Sequence, residues 1–256
     1  MVTPRIDCAS IRIDGGARLM FAGGVDNHPM RGQCLRTATV YDALSNSWAD
    51  LPSMACERHG CSGAEINGTV YVVGGGYASK DRIGSEFFEA FDLATQEWRQ
   101  LPLPDPALDR VFAAVGVVGG KLILAGGEGS TQDTRGSNVR VDAFVPANKR
   151  SSSAGIEAAE PKAEAEAEAE AQTEANAQEG VGVNAAISQR EGHWEQCAPL
   201  RSKRSACGFC EWRGMLVVAG GRGGAGEPLE SVEIFDGERR PHYLRPTDIA
   251  RACVAP

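Results

Sequence analysis

The chain has 256 residues, 42% of them hydrophobic, and a formal net charge of −8, enough material for one domain with a sizeable core. Between Ser151 and Glu191 nine glutamates stand against Lys162 and Arg190, a net of −7, so the remainder is close to neutral and offers no basic footprint for nucleic acid. No basic segment followed by an apolar stretch opens the sequence and no apolar run approaches the ~18 residues of a membrane helix, so the expectation is a cytoplasmic or nuclear protein without a membrane partner.

The first unit opens at Arg5. Apolar alternation through Ile13 predicts a strand, the turn DGGA (Asp14 to Ala17) a reversal, and LMFA a second strand closed by Gly23 and Gly24. Tyr41 and, seven residues later, Trp48 complete a unit over about 5–50. The second unit, 58–101, repeats that order with Arg58, a turn at Asn67-Gly68, VYVV closed by Gly74 and Gly75, then Phe91 and Trp98. The third, 110–197, has Arg110, Gly119-Gly120, LILA closed by Gly126 and Gly127, Phe144, and Trp194 after a long interruption. The fourth, 204–244, has Arg204, Arg213-Gly214, LVVA closed by Gly220 and Gly221, and Phe235, with His242 and Tyr243 where a tryptophan would stand. Arg251 and Cys253 then look like the opening of a fifth, partial unit over 251–256.

The first glycines of the pairs are 51, 52 and 94 residues apart, and the last gap falls near the others once the interruption is set aside. In three units the arginine stands 16 residues before the first glycine. Such a period marks a repeat in which each unit is four short strands, the pattern of a propeller blade. The turn dipeptides suit tight hairpins, whose central residues favour positive φ. The interruption itself, residues 148–191, alternates alanine with glutamate, which places like charges at i and i+4 and offers no apolar face. It is expected to be a disordered acidic loop, a solvated tract before it is a docking tail.

Two tempting motifs give way to the repeat. LVVAGGRGGAG (Leu216 to Gly226) contains the glycine spacing of a phosphate cradle, but such a cradle needs a following helix, and Pro228 and the alternating ESVEIF follow instead. CGFC (Cys207 to Cys210) has metal-ligand spacing, yet Cys8, Cys61 and Cys207 all stand three residues after a unit arginine. They are equivalent small positions on separate blades, and an odd offset puts Cys210 on the opposite face of its strand. The cysteines are expected to be reduced, in a reducing compartment.

The stretch from Tyr41 to Gly75 is similar to a kelch repeat, and SVEIFD (Ser231 to Asp236) resembles the same segment of Kelch-like (BTB-kelch) proteins. The resemblance covers nearly the whole chain outside the interruption and implies an all-β, kelch-type β-propeller. It would have four recognisable blades plus a terminal strand, making either a small ring or an incomplete one. The glycine pairs would then end blade strands, and Trp48, Trp98 and Trp194 would pack the core.

The resemblance also implies a protein-interaction module that binds a protein or peptide through blade loops, since loops vary while a rigid scaffold holds them. The segments after the glycine pairs are the candidates: VDNHPMRGQ, YASKDRIG, EGSTQDTRGSN and RGGAGEP. In some Kelch-like propellers, arginines just after the glycine pair and near the start of the next unit line the pocket. That implies Arg222, and with it Arg58, Arg110 and Arg204, as binding residues, against a role in hydrogen bonding between blades. Other readings are a substrate adaptor of a ubiquitin ligase as part of a longer chain, because such adaptors carry an additional dimerisation domain absent here, and an actin-binding or scaffold protein. A propeller enzyme such as a copper oxidase would hold its metal through histidine and tyrosine. His28, His59, His193 and His242 fall at different unit positions and form no ligand set, so no catalytic residue, metal or cofactor is expected.

Overall fold

A computed structural model describes residues 3–26, 32–76, 88–105, 108–129, 136–147, 191–237 and 242–244. Most of the expected acidic loop, the partial unit 251–256 and much of three candidate binding loops, residues 27–31, 77–87 and 130–135, lie outside them. The chain divides into one unit of residues 1–145 and 194–256 and a second of 146–193. In the second, the Ala147 N–H donates to the Glu191 carbonyl at 3.2 Å.

The first unit is built of strands. A two-residue strand β1 (Arg5–Ile6) precedes β2 (Ala9–Ile13) and β3 (Arg18–Ala22), and β4 (Val25–Asp26) returns to pair with β1. With β5 (Ala38–Asp42) and β6 (Ser47–Leu51), β2 and β3 form an antiparallel sheet in the order β2-β3-β5-β6, the first blade. The second blade runs β7 (Ser62–Ile66), β8 (Thr69–Val73), β9 (Phe88–Asp92) and β10 (Glu97–Gln100). After the short pair β11 (Arg110–Val111) and β14 (Glu128–Gly129), the third uses β12 (Ala114–Val118), β13 (Lys121–Ala125), β15 (Val141–Pro146) and β16 (Gly192–Gln196). The fourth is β17 (Gly208–Trp212), β18 (Met215–Ala219), β19 (Val232–Phe235) and β20 (His242–Leu244). The fold is nearly all β, with four blades arranged as a propeller.

Side chains that alternate along each strand go to opposite faces of the blade, and in the inner blades both faces are apolar because each meets a neighbour. Ile11, Met20, Ala22 and Val40 of the first blade pack against Val70, Val72 and Phe91 of the second. The second blade's other face, with Tyr71, Val73 and Phe88, packs against Val115, Leu122 and Phe144 of the third. Ile123, Ala125 and Val141 of the third then meet Leu216, Val218 and Phe235 of the fourth. Each of these side chains of valine size or larger contributes roughly 1.5–3 kcal/mol by leaving water.

The aromatic and tryptophan of a unit are cross-strand partners. Trp98 opposes Phe91, with ring centroids 4.9 Å apart, and the rings of Phe144 and Trp194 are 5.4 Å apart. Trp48 opposes Tyr41 in the same register but is 36% exposed. It is therefore not a core residue, because no apolar interface covers that face of the first blade among the described residues.

The glycine pairs take the left-handed backbone in every blade, for instance Gly126 at φ 65° and Gly127 at φ 90°. Their second requirement is closeness: a Cβ at Gly126 would sit 2.5 Å from the Arg204 carbonyl oxygen, and one at Gly23 would sit 2.6 Å from that of Arg58. Among the described residues the cysteines are free thiols. Cys207 packs at the third interface whereas Cys210 is exposed, which places the two on opposite faces. Burial pushes the Cys61 thiol up to about 11.

Candidate binding site

The unit arginines fold inward. Arg58, Arg110 and Arg204 have at most 1% of their surface exposed. Arg58 pairs with Glu89, Arg110 with Asp142 at 2.8 Å and Arg204 with Glu233 at 2.7 Å. The guanidiniums also donate to backbone carbonyls of their own blade, Arg110 to Arg140 at 2.9 Å and Arg204 to Gly220 at 2.9 Å. Ligand contact by these three is corrected to a structural role: they tie the start of a blade to its second and third strands.

Glu89 additionally accepts the Ala55 N–H at 2.8 Å, and Glu233 that of Arg201 at 2.7 Å, so the same carboxylate holds the turn that leads into the arginine. Asp142 is one methylene shorter and is held instead by Arg140, whose guanidinium reaches Asp105 at 2.7 Å. Burial lowers Arg110 to about 10 and raises Asp142, and their mutual attraction opposes both shifts. In the first blade Thr39 takes the carboxylate's position, and Arg5 donates to the carbonyls of Gly23 and Thr37 at 3.0 and 2.9 Å. The carboxylates were not singled out in the sequence, although each stands two residues before its unit aromatic: Glu89 before Phe91, Asp142 before Phe144, Glu233 before Phe235.

Two residues beyond each arginine the chain turns left-handed, at Asp7 (φ 54°), Gly60 (φ 64°), Phe112 (φ 56°) and Ala206 (φ 48°). These four are strung together by backbone hydrogen bonds: the Gly60 N–H donates to Asp7 at 2.7 Å, Phe112 to Gly60 at 2.7 Å and Ala206 to Phe112 at 3.0 Å. They frame an opening where the inner strands of all four blades converge. Within it lies a cleft of about 270 Å³ walled by Asp7, Gly60, Phe112, Ala206 and Phe209, and Phe209 also walls a second cleft of about 400 Å³ with Ser10, Arg12, Glu65, Val115 and Glu211. Phe209 is 41% exposed, an aromatic ring left in solvent between rigid walls.

Arg222 lies beside this opening and is exposed. Its backbone is fixed by reciprocal bonds with Ser205 at 2.9 and 3.1 Å, and the Ser137 hydroxyl donates to its carbonyl at 3.2 Å. The following turn is closed by the Gly223 N–H on the Glu227 carbonyl at 2.7 Å. Thus, of the four arginines expected to bind, Arg222 presents its side chain at the surface. Among the described residues no group of histidine, cysteine, aspartate or glutamate could hold a metal ion.

Residues 57–102 match the kelch motif, and they are the residues from the second blade's arginine to the end of its tryptophan strand. The second blade is a kelch repeat, and the other three share its strand order and the offsets of its arginine, glycine pair and aromatic. Two F-box/kelch-repeat proteins of Arabidopsis thaliana are similar to this chain: one is 38% identical over 34% of this chain and 23% of its own length, the other 34% identical over 47% and 33%. A kelch repeat-containing protein of the same plant is 34% identical over 36% of this chain and 22% of its own length. The chain thus spans about a third or less of these relatives. The narrower likeness to BTB-kelch proteins is not confirmed. The kelch match and these relatives support a protein-interaction propeller.

Proposed function

We propose that this kelch propeller binds a segment of another protein at the axial opening, with Phe209 as the apolar contact and Arg222 as the charged one. The observation that carries the reading is Phe209, an exposed aromatic ring held among four rigid strands beside Arg12, Glu65 and Glu211. An apolar anchor ringed by a few fixed charges suits a peptide better than a small substrate. The binding takes place in the cytosol or nucleus and needs no cofactor.

The names of the F-box/kelch relatives favour the ubiquitin-ligase adaptor reading over the actin-binding or scaffold one, as part of a longer chain. The test is to recover a partner by crosslinking at the opening and measure its affinity for Phe209→Ser and Arg222→Glu. Each should weaken binding by at least tenfold, while Glu97→Gln on the outer strand of the second blade leaves it unchanged. Unaltered affinity of Phe209→Ser would sink the proposal. Faster ubiquitylation of that partner when the full-length protein is present would support the adaptor role, and co-sedimentation with filaments the cytoskeletal one.

A further inference from the structure

At the joint between the second and third blades, both of which have apolar neighbours on either side, the left-handed position two residues beyond the unit arginine holds Phe112 at φ 56°. The matching residues of the other blades are Asp7, Gly60 and Ala206, each with a short side chain or none. A bulky aromatic in this region is an outlier that costs backbone energy. Core burial does not offset that cost, because Phe112 is half-buried and belongs to none of the three apolar clusters. Its backbone is fixed on both sides: its N–H donates to the Gly60 carbonyl at 2.7 Å, and its carbonyl accepts the Ala206 N–H at 3.0 Å. The ring lies over Gly60, where a Cβ would stand 3.0 Å from its nearest carbon, and edge-on to His59 with centroids 6.3 Å apart. Gly60 is thus the residue that leaves the ring its place.

That place is the wall of the smaller axial cleft, about 270 Å³, which Phe112 shares with Phe209, Ala113, Cys8, Cys61 and Cys207. The volume falls below the roughly 300–1,000 Å³ of small-molecule sites, so it suits a side chain rather than a cofactor. Two rings and three sulfurs suit an aromatic group, whose face and edge pair favourably with both. Burial pushes all three thiols up, so each keeps its proton near neutral pH and the sulfurs add no charge. Asp7 is the charged residue of the wall, and Arg222 lies outside it. The Asp7 side chain is exposed and makes no ion pair among the described residues.

We propose that Phe112 and Phe209 together receive one aromatic side chain of the bound segment, and that its neighbour in that segment is a lysine or arginine paired with Asp7. The proposal rests on the axial opening being the binding site and names the chemistry that this site selects. An aromatic anchor in a desolvated pocket supplies most of the contact energy of such a complex. The carboxylate then decides which neighbours are admitted, because an acidic residue beside the anchor is set against Asp7. Phe112 is a specificity-determining residue. The fold at this position asks only for a side chain that tolerates the left-handed backbone, and the ring serves the ligand.

The test is an amide NMR titration of the full 256-residue chain with the capped peptides Gly-Phe-Lys-Gly, Gly-Phe-Glu-Gly and Gly-Ala-Lys-Gly. The first should shift the amides of Gly60, Phe112 and Ala206. It should bind about threefold or more tightly than the glutamate peptide and about tenfold more tightly than the alanine one. Asp7→Asn should remove the preference for lysine over glutamate. Phe112→Asn should lose the binding and keep the native melting temperature, since asparagine tolerates the left-handed backbone, and Phe112→Tyr should keep both. A melting temperature for Phe112→Asn as low as that of Trp98→Ala marks Phe112 as a packing residue and overturns the proposal, as does equal affinity for the lysine and glutamate peptides. Shifts confined to Gly208 and Cys210 and indifferent to Phe112→Asn overturn this assignment while leaving the axial site standing. Shifts with none of the peptides overturn it too, and the axial reading falls as well only if Phe209→Ser also leaves partner affinity unaltered.

Discussion

The residues that decide whether a blade closes are a buried arginine and a carboxylate that a pattern search for apolar periodicity passes over. Glu89, with no exposed surface, answers Arg58 and two backbone N–H groups at once. Removing it strands a buried guanidinium, and Glu89→Ala should lower unfolding free energy by about 3–5 kcal/mol in a denaturant titration. At Cys61 the sign of the pH effect follows from burial. The folded thiol holds its proton to about 11 while the unfolded one releases it near 9.0, so stability is fully present below that lower value and declines as pH climbs through the interval. Cys61→Ala should flatten this alkaline slope. In the native protein at pH 8, a thiol reagent should modify exposed Cys210 before Cys61.

At the scale of the element, each glycine pair combines a left-handed turn with a close approach, and the two demands separate between blades. Gly126→Ala meets both the backbone penalty and the Arg204 carbonyl at 2.5 Å, so it should cost ~1–3 kcal/mol. Gly220→Ala in the isolated chain meets the backbone penalty without that carbonyl and should cost measurably less. The tryptophans divide in the same way: Trp98 donates its indole N–H to Pro52 at 2.7 Å and packs at the first interface. Trp98→Ala should cost ~2–4 kcal/mol, and Trp48→Ala about half of that by the same thermal measurement. The elements themselves were legible in the sequence, because glycine pairs and aromatics at fixed offsets report turns and cross-strand partners directly. What was not legible was which blade faces are covered by an apolar neighbour among the described residues. Trp48 and Trp98 have the same local pattern, and only a neighbouring blade distinguishes a buried ring from an exposed one. The three buried arginines mislead for a similar reason, since a guanidinium that faces inward and one that faces a ligand occupy the same place in the repeat. The axial cleft was missed because Phe209 gives no sign in its own strand that the strands around it leave it bare.

Taken whole, the four blades form a series in which, among the described residues, each packs its apolar faces against its sequence neighbours. The second and third have apolar neighbours on both sides and the first and fourth on one. Stability in such an array is a sum of intrinsic terms and nearest-neighbour couplings, so it cannot be evenly distributed. Amide exchange of a single-chain species should be slowest in Val70 to Val73 and Leu122 to Ala125, and should quicken toward both terminal blades. Unfolding would then begin as fraying at either end and move inward, and a mild denaturant would populate species that have shed a terminal blade while the central pair remains. Any contact that covers a terminal blade therefore raises the exchange protection of blades that it never touches.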